Sequence, residues 1–344
     1  MSLYLAIETS CDDTSVAVVS PDGHVRLCRS QSQDASHAIF GGIVPEIASR
    51  NHSHFLLPLI DNVLRDAGAK PADLSGIVVT NRPGLIGSLI VGVVTAKSLA
   101  LAWNKPWLGV NHLEGHLLAP FLRDDSYTPA FEFGEPYLAL TVSGGHSSLY
   151  DVEGLGRYHV LGATLDDAAG EAYDKFGKML GLGFPGGVQV DRLAQGGDPS
   201  KYAFPRGLMH EDTLDMSFSG LKSASHRLLS AMAPDEMERE RAHLCAGFQQ
   251  AVVEVLLHKL DKARKKTGRR RVVLTGGVSA NSELRRQTEA WAKRVKCELA
   301  VPPLRYCTDN AAMIGLVGAL RMERGERATM SDGPSPASAT GDFQ

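Results

Sequence analysis

Apolar positions along this chain fall into two recurring blocks. Residues 4–23, YLAIETSCDDTSVAVVSPDG, run apolar, then small and polar, then apolar, and end on an acidic-Gly turn. Residues 137–154, YLALTVSGGHSSLYDVEG, repeat that order. Each block predicts a β-hairpin. A second pair follows at similar distance: IVVTNRPG (77–84) and VVLTGGVSAN (272–281) each predict a buried strand entering a Gly-bearing loop and then a helix. Two pairs in one order at matched spacing predict an α/β fold of two duplicated lobes facing each other across a central cleft.

Helical periodicity predicts amphipathic helices at 44–67, 87–103, 166–180, 237–266 and 282–295. Residues 1–122 form the first expected lobe and 137–308 the second. Between them 123–136, rich in Asp, Pro and Gly, reads as a linker. A helix from about 309 to 323, within a segment ending near 326, is expected to return to the first lobe. The small, polar, proline-bearing residues 327–344 are expected to be disordered.

Composition narrows the class. With 344 residues the chain is long enough for two cores, and a net charge of −3 leaves nucleic acid only a local basic patch. Cys11, Cys28, Cys245, Cys297 and Cys307 are odd in number and unpaired in spacing, which predicts reduced thiols in the cytoplasm. The longest apolar stretch, 89–103, is interrupted by Gly92, Thr95, Lys97 and Ser98, so no membrane span is expected.

Several loops suit a nucleotide. Ser143, Gly144 and Gly145 form one hairpin tip, and 10–13 is its counterpart. Such tips aim backbone N–H groups in one direction, as phosphate requires. Gly276 and Gly277 let backbone approach a base or ribose, with Asn281 opening the next helix. A tight turn alone would also explain each glycine pair. Glu171, Asp174 and Lys175 share about one helical turn: Glu171 can pair with Lys175, and Asp174 can either join that surface or accept from a ribose.

NHLEGH (111–116) carries the sharpest chemistry. Histidines at i and i+4 lie about 40° apart around a helix, so His112 and His116 can reach one ion. Glu114 lies about 200° from His112, which excludes the metalloprotease pattern in which the glutamate shares the metal face. Asp309 is the candidate third ligand; it also reads as a first-turn helix acid behind a Thr308 cap. Cys307 is the alternative ligand or a packed thiol. A His/His/Asp set leaves open positions, which suits catalytic Fe(II) first and Zn(II) second.

IETSCDDTS, GGIVPEIASRNH, NHLEGH, TVSGGHSSL, TLDDAAGEAYDKFGKMLG, FPGG, SFSGLKSA and TGGVSANSELR resemble, in order, the universal tRNA N6-adenosine threonylcarbamoyltransferase family, once described as glycoprotein endopeptidases. The match spans about 3–325. It implies an actin-like ATPase fold (ribonuclease-H-like lobes) and transfer of threonylcarbamoyl from threonylcarbamoyl-AMP to the adenosine 3′ to the anticodon in tRNAs reading A-starting codons. It further implies His112, His116 and Asp309 as metal ligands. Thr141, Val142, Ser143, Gly144, Gly145, Asp174, Gly187 and Asn281 would hold the adenylate, with Asp191 a further contact. Asp12 and Asp13 would face the reacting group. Asp13 stands where many members carry Glu, so Asp12 is the candidate for orienting or deprotonating the amine. Expected partners are a non-catalytic paralogue, a small ATPase and a separate synthase of the adenylate.

The run KARKKTGRRR (262–271) holds seven basic residues and reads either as a tRNA phosphate contact or as a solvated helix end. Two other classes fit the nucleotide loops: an actin-like small-molecule kinase and a non-enzymatic nucleotide-gated scaffold. Neither gives the His112, His116 and Asp309 set a purpose.

Overall fold

The computed structural model describes residues 2–338. In chain order the regular elements are β1 (Leu3–Glu8), β2 (Thr14–Val19), β3 (Val25–Gln31), α1 (Asp34–Ala38), α2 (Pro45–Asp66), β4 (Leu74–Arg82), α3 (Ile86–Trp103), β5 (Trp107–Asn111) and α4 (His112–Leu118). There follow β6 (Tyr137–Val142), β7 (Ser147–Gly154), β8 (Arg157–Ala163), α5 (Ala169–Met179), α6 (Gly186–Ala194), α7 (Ser219–Ser230), α8 (Pro234–Thr267), β9 (Arg271–Thr275), α9 (Ser282–Val295), β10 (Glu298–Ala300) and α10 (Ala311–Glu323). The chain divides into unit 1, Met1–Gly134 with Pro302–Gln344, and unit 2, Glu135–Val301.

Each unit is built on one five-stranded sheet, ordered β3-β2-β1-β4-β5 and β8-β7-β6-β9-β10. The two orders are the same, so the duplication seen in the residue pattern is a duplication of topology. The expected hairpins are β1/β2 and β6/β7, both antiparallel. The expected second strands, β4 and β9, run parallel to β1 and β6. Helices α2 and α3 and the returning α10 all pack on the strands of unit 1. Burial on both faces is why β1 and β2 are near-continuous apolar runs rather than alternating ones. Helix α10 lies close because a Cβ at Gly318 would run into Val78.

Helix α3 has the length and mean hydropathy (1.7) of a spanning helix. Its inner stripe, Leu89, Val93, Ala96 and Ala100, is buried, as in a core helix, while Ile86, Ile90, Val94 and Leu101 are exposed.

The boundary between the units, Gly134/Glu135, falls within the expected linker 123–136, while the expected disordered end needs correction. Residues 123–134 are fastened to unit 1 rather than spanning freely: Arg305 grips Asp124 at 2.7 Å, Tyr306 donates to Asp124 at 2.6 Å, and Phe131 and Phe133 pack on Phe121. The end of the chain, expected to be disordered, is seated on unit 1 as far as residue 338. Ala328 N–H donates to the Trp107 carbonyl, Ser335 N–H to Asn81, and Gly84 N–H to Pro336. Small polar composition predicts lack of structure, whereas here backbone pairing compensates for few apolar side chains. The remainder of that tail, 339–344, lies outside the described residues.

Candidate functional site: a metal-ligand cluster in unit 1 and glycine loops in unit 2

Strands β1, β4 and β5 are mutually parallel, and their carboxyl ends carry the chemistry of unit 1. Helix α4 starts directly from β5, with Asn111 as its cap accepting from Leu113 N–H at 2.9 Å. This fixes His112 at the first helical position and His116 one turn on. Asp309 arrives from the segment before α10. Its carboxylate oxygen lies 3.3 Å from His112 Nε2 and 3.2 Å from His116 Nε2. One atom from each of the three side chains falls within 4.8 Å of the others. Among the described residues no other set of three His, Cys, Asp or Glu side chains converges this way. Two imidazoles and a carboxylate on one point suit a divalent transition ion.

The cap of α10 differs from the one expected. Asn310, not Thr308, is the N-cap and accepts from Met313 N–H at 3.0 Å, so Asp309 precedes the helix and is released from its first turn. Cys307 is buried with its thiol against the Pro302 and Pro303 carbonyls, the packed-thiol reading. Glu114 points away from the cluster and pairs with Arg321 of α10 at 2.9 Å, as helix geometry requires.

Residue pattern alone missed Glu8. It closes β1, is buried, and meets His112 Nδ1 at 3.0 Å, the Thr80 hydroxyl at 2.5 Å and the Ser10 N–H at 2.5 Å. The available signal was a charge ending an otherwise apolar strand. Burial by itself would raise the Glu8 and Asp309 carboxyls and lower His112. Their mutual charges and hydrogen bonds outweigh burial: Glu8 is held below the usual carboxylate range, Asp309 well below it, and the His112 imidazole well above its own.

Asp12 and Asp13 lie on the β1–β2 tip. His52, also missed, pins this tip from α2 by donating to the Cys11 carbonyl at 3.0 Å and accepting from Thr14 at 2.7 Å. Burial, then neighbouring carboxylates, raises both acids; Asp13 is pushed up to about 7 and its Oδ1 is buried without a hydrogen-bond partner.

In unit 2 the parallel pair β6 and β9 ends at Thr141 and Thr275. Thr141 and Val142 are buried in β6. The tip closes through Ser143 N–H to the His146 carbonyl at 2.7 Å, and the Ser143 hydroxyl accepts from His146 N–H at 3.1 Å. Among the described residues the N–H groups of Gly144 and Gly145 meet no acceptor, and a Cβ on either would enter open space. Gly276 has φ +88°, and a Cβ there would run into the Val142 carbonyl, so this loop demands glycine.

Asp174 accepts from Gly187 N–H at 3.1 Å and joins α5 to the start of α6. Lys175 pairs with Glu171 at 2.7 Å, the surface reading. Asn281 caps α9 and donates to Gln249 at 2.7 Å, while Asp191 accepts from the Ser282 N–H and hydroxyl. The polar atoms of Asp191 and Asn281 therefore hold the α9 start in place.

The basic run is largely neutralised. Lys262, Arg264, Lys265, Arg269 and Arg271 pair with Asp212, Asp261, Asp261, Asp151 and Glu298. Among the described residues only Lys266 and Arg270 of the seven hold no carboxylate.

The duplicated sheets with glycine-bearing strand ends define an α/β protein of actin-like fold, with a His/His/Asp cluster that could hold a metal ion. A solved structure of HypF in its phosphate- and nucleotide-bound form shares this fold at 12% identity, with a TM-score of 0.60 over 94% of this chain and 55% of HypF. The family model for tRNA N6-adenosine threonylcarbamoyltransferase (TsaD) matches residues 24–316. The Bdellovibrio bacteriovorus protein of that description is 60% identical over 340 residues, 99% of each chain. Its Trichlorobacter lovleyi counterpart is 51% identical over 318 residues, covering 92% of this chain and 90% of its own. The chain belongs to the tRNA N6-adenosine threonylcarbamoyltransferase family.

Proposed function

We infer that the chain transfers a threonylcarbamoyl group from threonylcarbamoyl-AMP to N6 of the adenosine 3′ to the anticodon of tRNA, in tRNAs reading A-starting codons. The convergence of His112 Nε2, His116 Nε2 and Asp309 on one point carries this reading, because the kinase and scaffold classes have no use for it. In the reaction the N6–carbamoyl bond forms, the carbamoyl–oxygen bond to AMP breaks, and one proton leaves N6.

The exocyclic amine is a weak nucleophile and AMP a good leaving group, so positioning and charge neutralisation dominate the barrier. The unit 2 loops, with Gly144 and Gly145 N–H groups open to solvent, hold the adenylate phosphate. Asp12 orients the amine. Asp12 is also the candidate proton acceptor, and Asp13 beside it has a carboxyl pushed up to about 7 in the metal-free protein. His112, His116 and Asp309 hold a divalent ion, Fe(II) first and Zn(II) second. Held there, such an ion would supply Lewis-acid polarisation of a substrate oxygen and neutralisation of developing charge.

The exposed apolar stripe Ile86, Ile90, Val94 and Leu101 on α3 supports a protein partner, for which a non-catalytic paralogue with a small ATPase is the candidate. A separate synthase makes the adenylate, and the compartment is the cytoplasm. Incubation with tRNA, threonine, bicarbonate, ATP and these partner enzymes, followed by nucleoside mass analysis, tests the reading. Threonylcarbamoyladenosine that appears only with this chain supports it, and unmodified adenosine in the complete mixture contradicts it.

A further inference from the structure

The sheet does not require an acid where Glu8 stands. Ala6 and Ile7 of β1 pair with Val78 and Val79 of β4, and Ala139 and Leu140 of β6 pair with Val273 and Leu274 of β9. One step further along, unit 1 places Glu8 beside Thr80, whereas unit 2 places Thr141 beside Thr275. The duplicate therefore builds the same strand end with a short neutral side chain. A carboxylate buried to 1% exposure is costly unless several donors satisfy it. Three groups do so: Ser10 N–H on Oε1, and the Thr80 hydroxyl and His112 Nδ1 on Oε2.

We propose that Glu8 is a positioning residue that locks His112 with its proton on Nδ1, leaving Nε2 to bind the ion shared with His116 and Asp309. The proposal rests on the metal reading of that cluster. A carboxylate only accepts, so a ring nitrogen facing it carries the hydrogen and the far nitrogen keeps its lone pair. An amide at position 8 breaks this logic. With its oxygen toward His112, its NH2 group opposes the Ser10 N–H. Turned over, its NH2 group faces Nδ1, which must then accept, and the ring hydrogen moves to Nε2, where it blocks ligation. The second ring partner, the Ser10 hydroxyl at 3.2 Å, can donate or accept and cannot fix the tautomer alone.

The test uses full-length metal-free protein titrated with Co(II), a spectroscopic stand-in for Fe(II) or Zn(II), in competition with a chelator. Parent, Glu8→Gln, Glu8→Thr and His112→Ala are compared, each with its unfolding midpoint. Glu8→Thr restores the residue that unit 2 carries and keeps the test open if the glutamine variant folds poorly. Expected are one Co(II) per parent chain, none in His112→Ala, and 10- to 100-fold weaker binding with an altered ligand-field spectrum in the folded Glu8 variants. Parent-like affinity and spectrum in a folded Glu8 variant, with His112→Ala still metal-free, would overturn the positioning role and leave the metal site standing. A parent that binds no Co(II) would overturn both.

Discussion

At the carboxyl end of β4 a threonine stands beside Glu8, and at the matching end of β9 a threonine stands beside Thr141. Around the first pair unit 1 gathers His112, His116, Asp309 and the raised carboxyls of Asp12 and Asp13. Around the second, unit 2 gathers Ser143, Gly144, Gly145, Gly276 and Gly277, with no titratable group among them. The strand order is the same and the chemistry is not. A duplicated sheet supplies two sets of parallel strand ends, and the side chains there decide whether the result binds an ion or cradles an anion.

Damage to unit 1's cluster is the most severe way to probe that division. His116→Ala is expected to abolish stoichiometric metal and to lower transfer by at least about 100-fold, beyond the range for losing a ligand's supporting partner. Affinity for AMP, which lacks the carbamoyl group, should stay within about twofold by calorimetry, since the glycine loops of unit 2 are expected to hold its phosphate. Equal loss of adenylate binding would erase the distinction between the units.

Glycine substitutions sharpen the other half. Gly276→Val places a branched side chain at φ +88° and against the Val142 carbonyl, and is expected to cost about 1–3 kcal/mol of stability as well as adenylate binding. Gly145→Val meets no protein atom, so its unfolding midpoint should hold while adenylate affinity falls about tenfold. Unchanged affinity in the second variant would make that tip a turn and nothing more.

Asp13 gives a pH signature. Its folded carboxyl titrates near 7 against 3.8 for the model acid, so the unfolded chain releases that proton first and stability falls as pH rises from about 4 to 7. In metal-free protein Asp13→Asn should therefore stabilise by roughly 1–3 kcal/mol at pH 8 and by almost nothing at pH 4. Urea titrations at the two pH values measure this, and an equal effect at both would remove the buried-acid explanation.

A smaller effect concerns the end of the chain. A variant ending at Glu326 loses the backbone hydrogen bonds from Ala328 and Ser335 and the one Pro336 accepts, and should lose about 2 kcal/mol. An unchanged denaturation midpoint would mean the segment contributes nothing to unit 1.

Much of this architecture was legible because it is repeated. The YLAIETS and YLALTVS runs marked equivalent strands, and helix 282–295 was placed to the residue. Strands β3 and β8 were not found: β3 (VRLCRSQ) is half exposed, so its polar residues hide the apolar period. His112, His116 and Asp309 were readable from helical spacing and a lone acid. Glu8 and His52 were not, because their partners lie 104 and 38 residues away and only the folded sheet brings them together. The ion pairs of the basic run were hidden for the same reason: Asp151, which pairs with Arg269 at 2.6 Å, is 118 residues distant.

The proposed mechanism makes transfer depend on an ion at His112, His116 and Asp309, while the glycine loops of unit 2 hold the AMP part of the donor. The most direct test strips the purified protein with chelator and follows two quantities, threonylcarbamoyl transfer to tRNA and AMP affinity, as Fe(II) or Zn(II) is returned. Transfer is expected to vanish and to recover in proportion to metal up to one ion per chain, with AMP affinity unchanged throughout. Full transfer by protein carrying less than about a twentieth of an ion per chain would contradict the account.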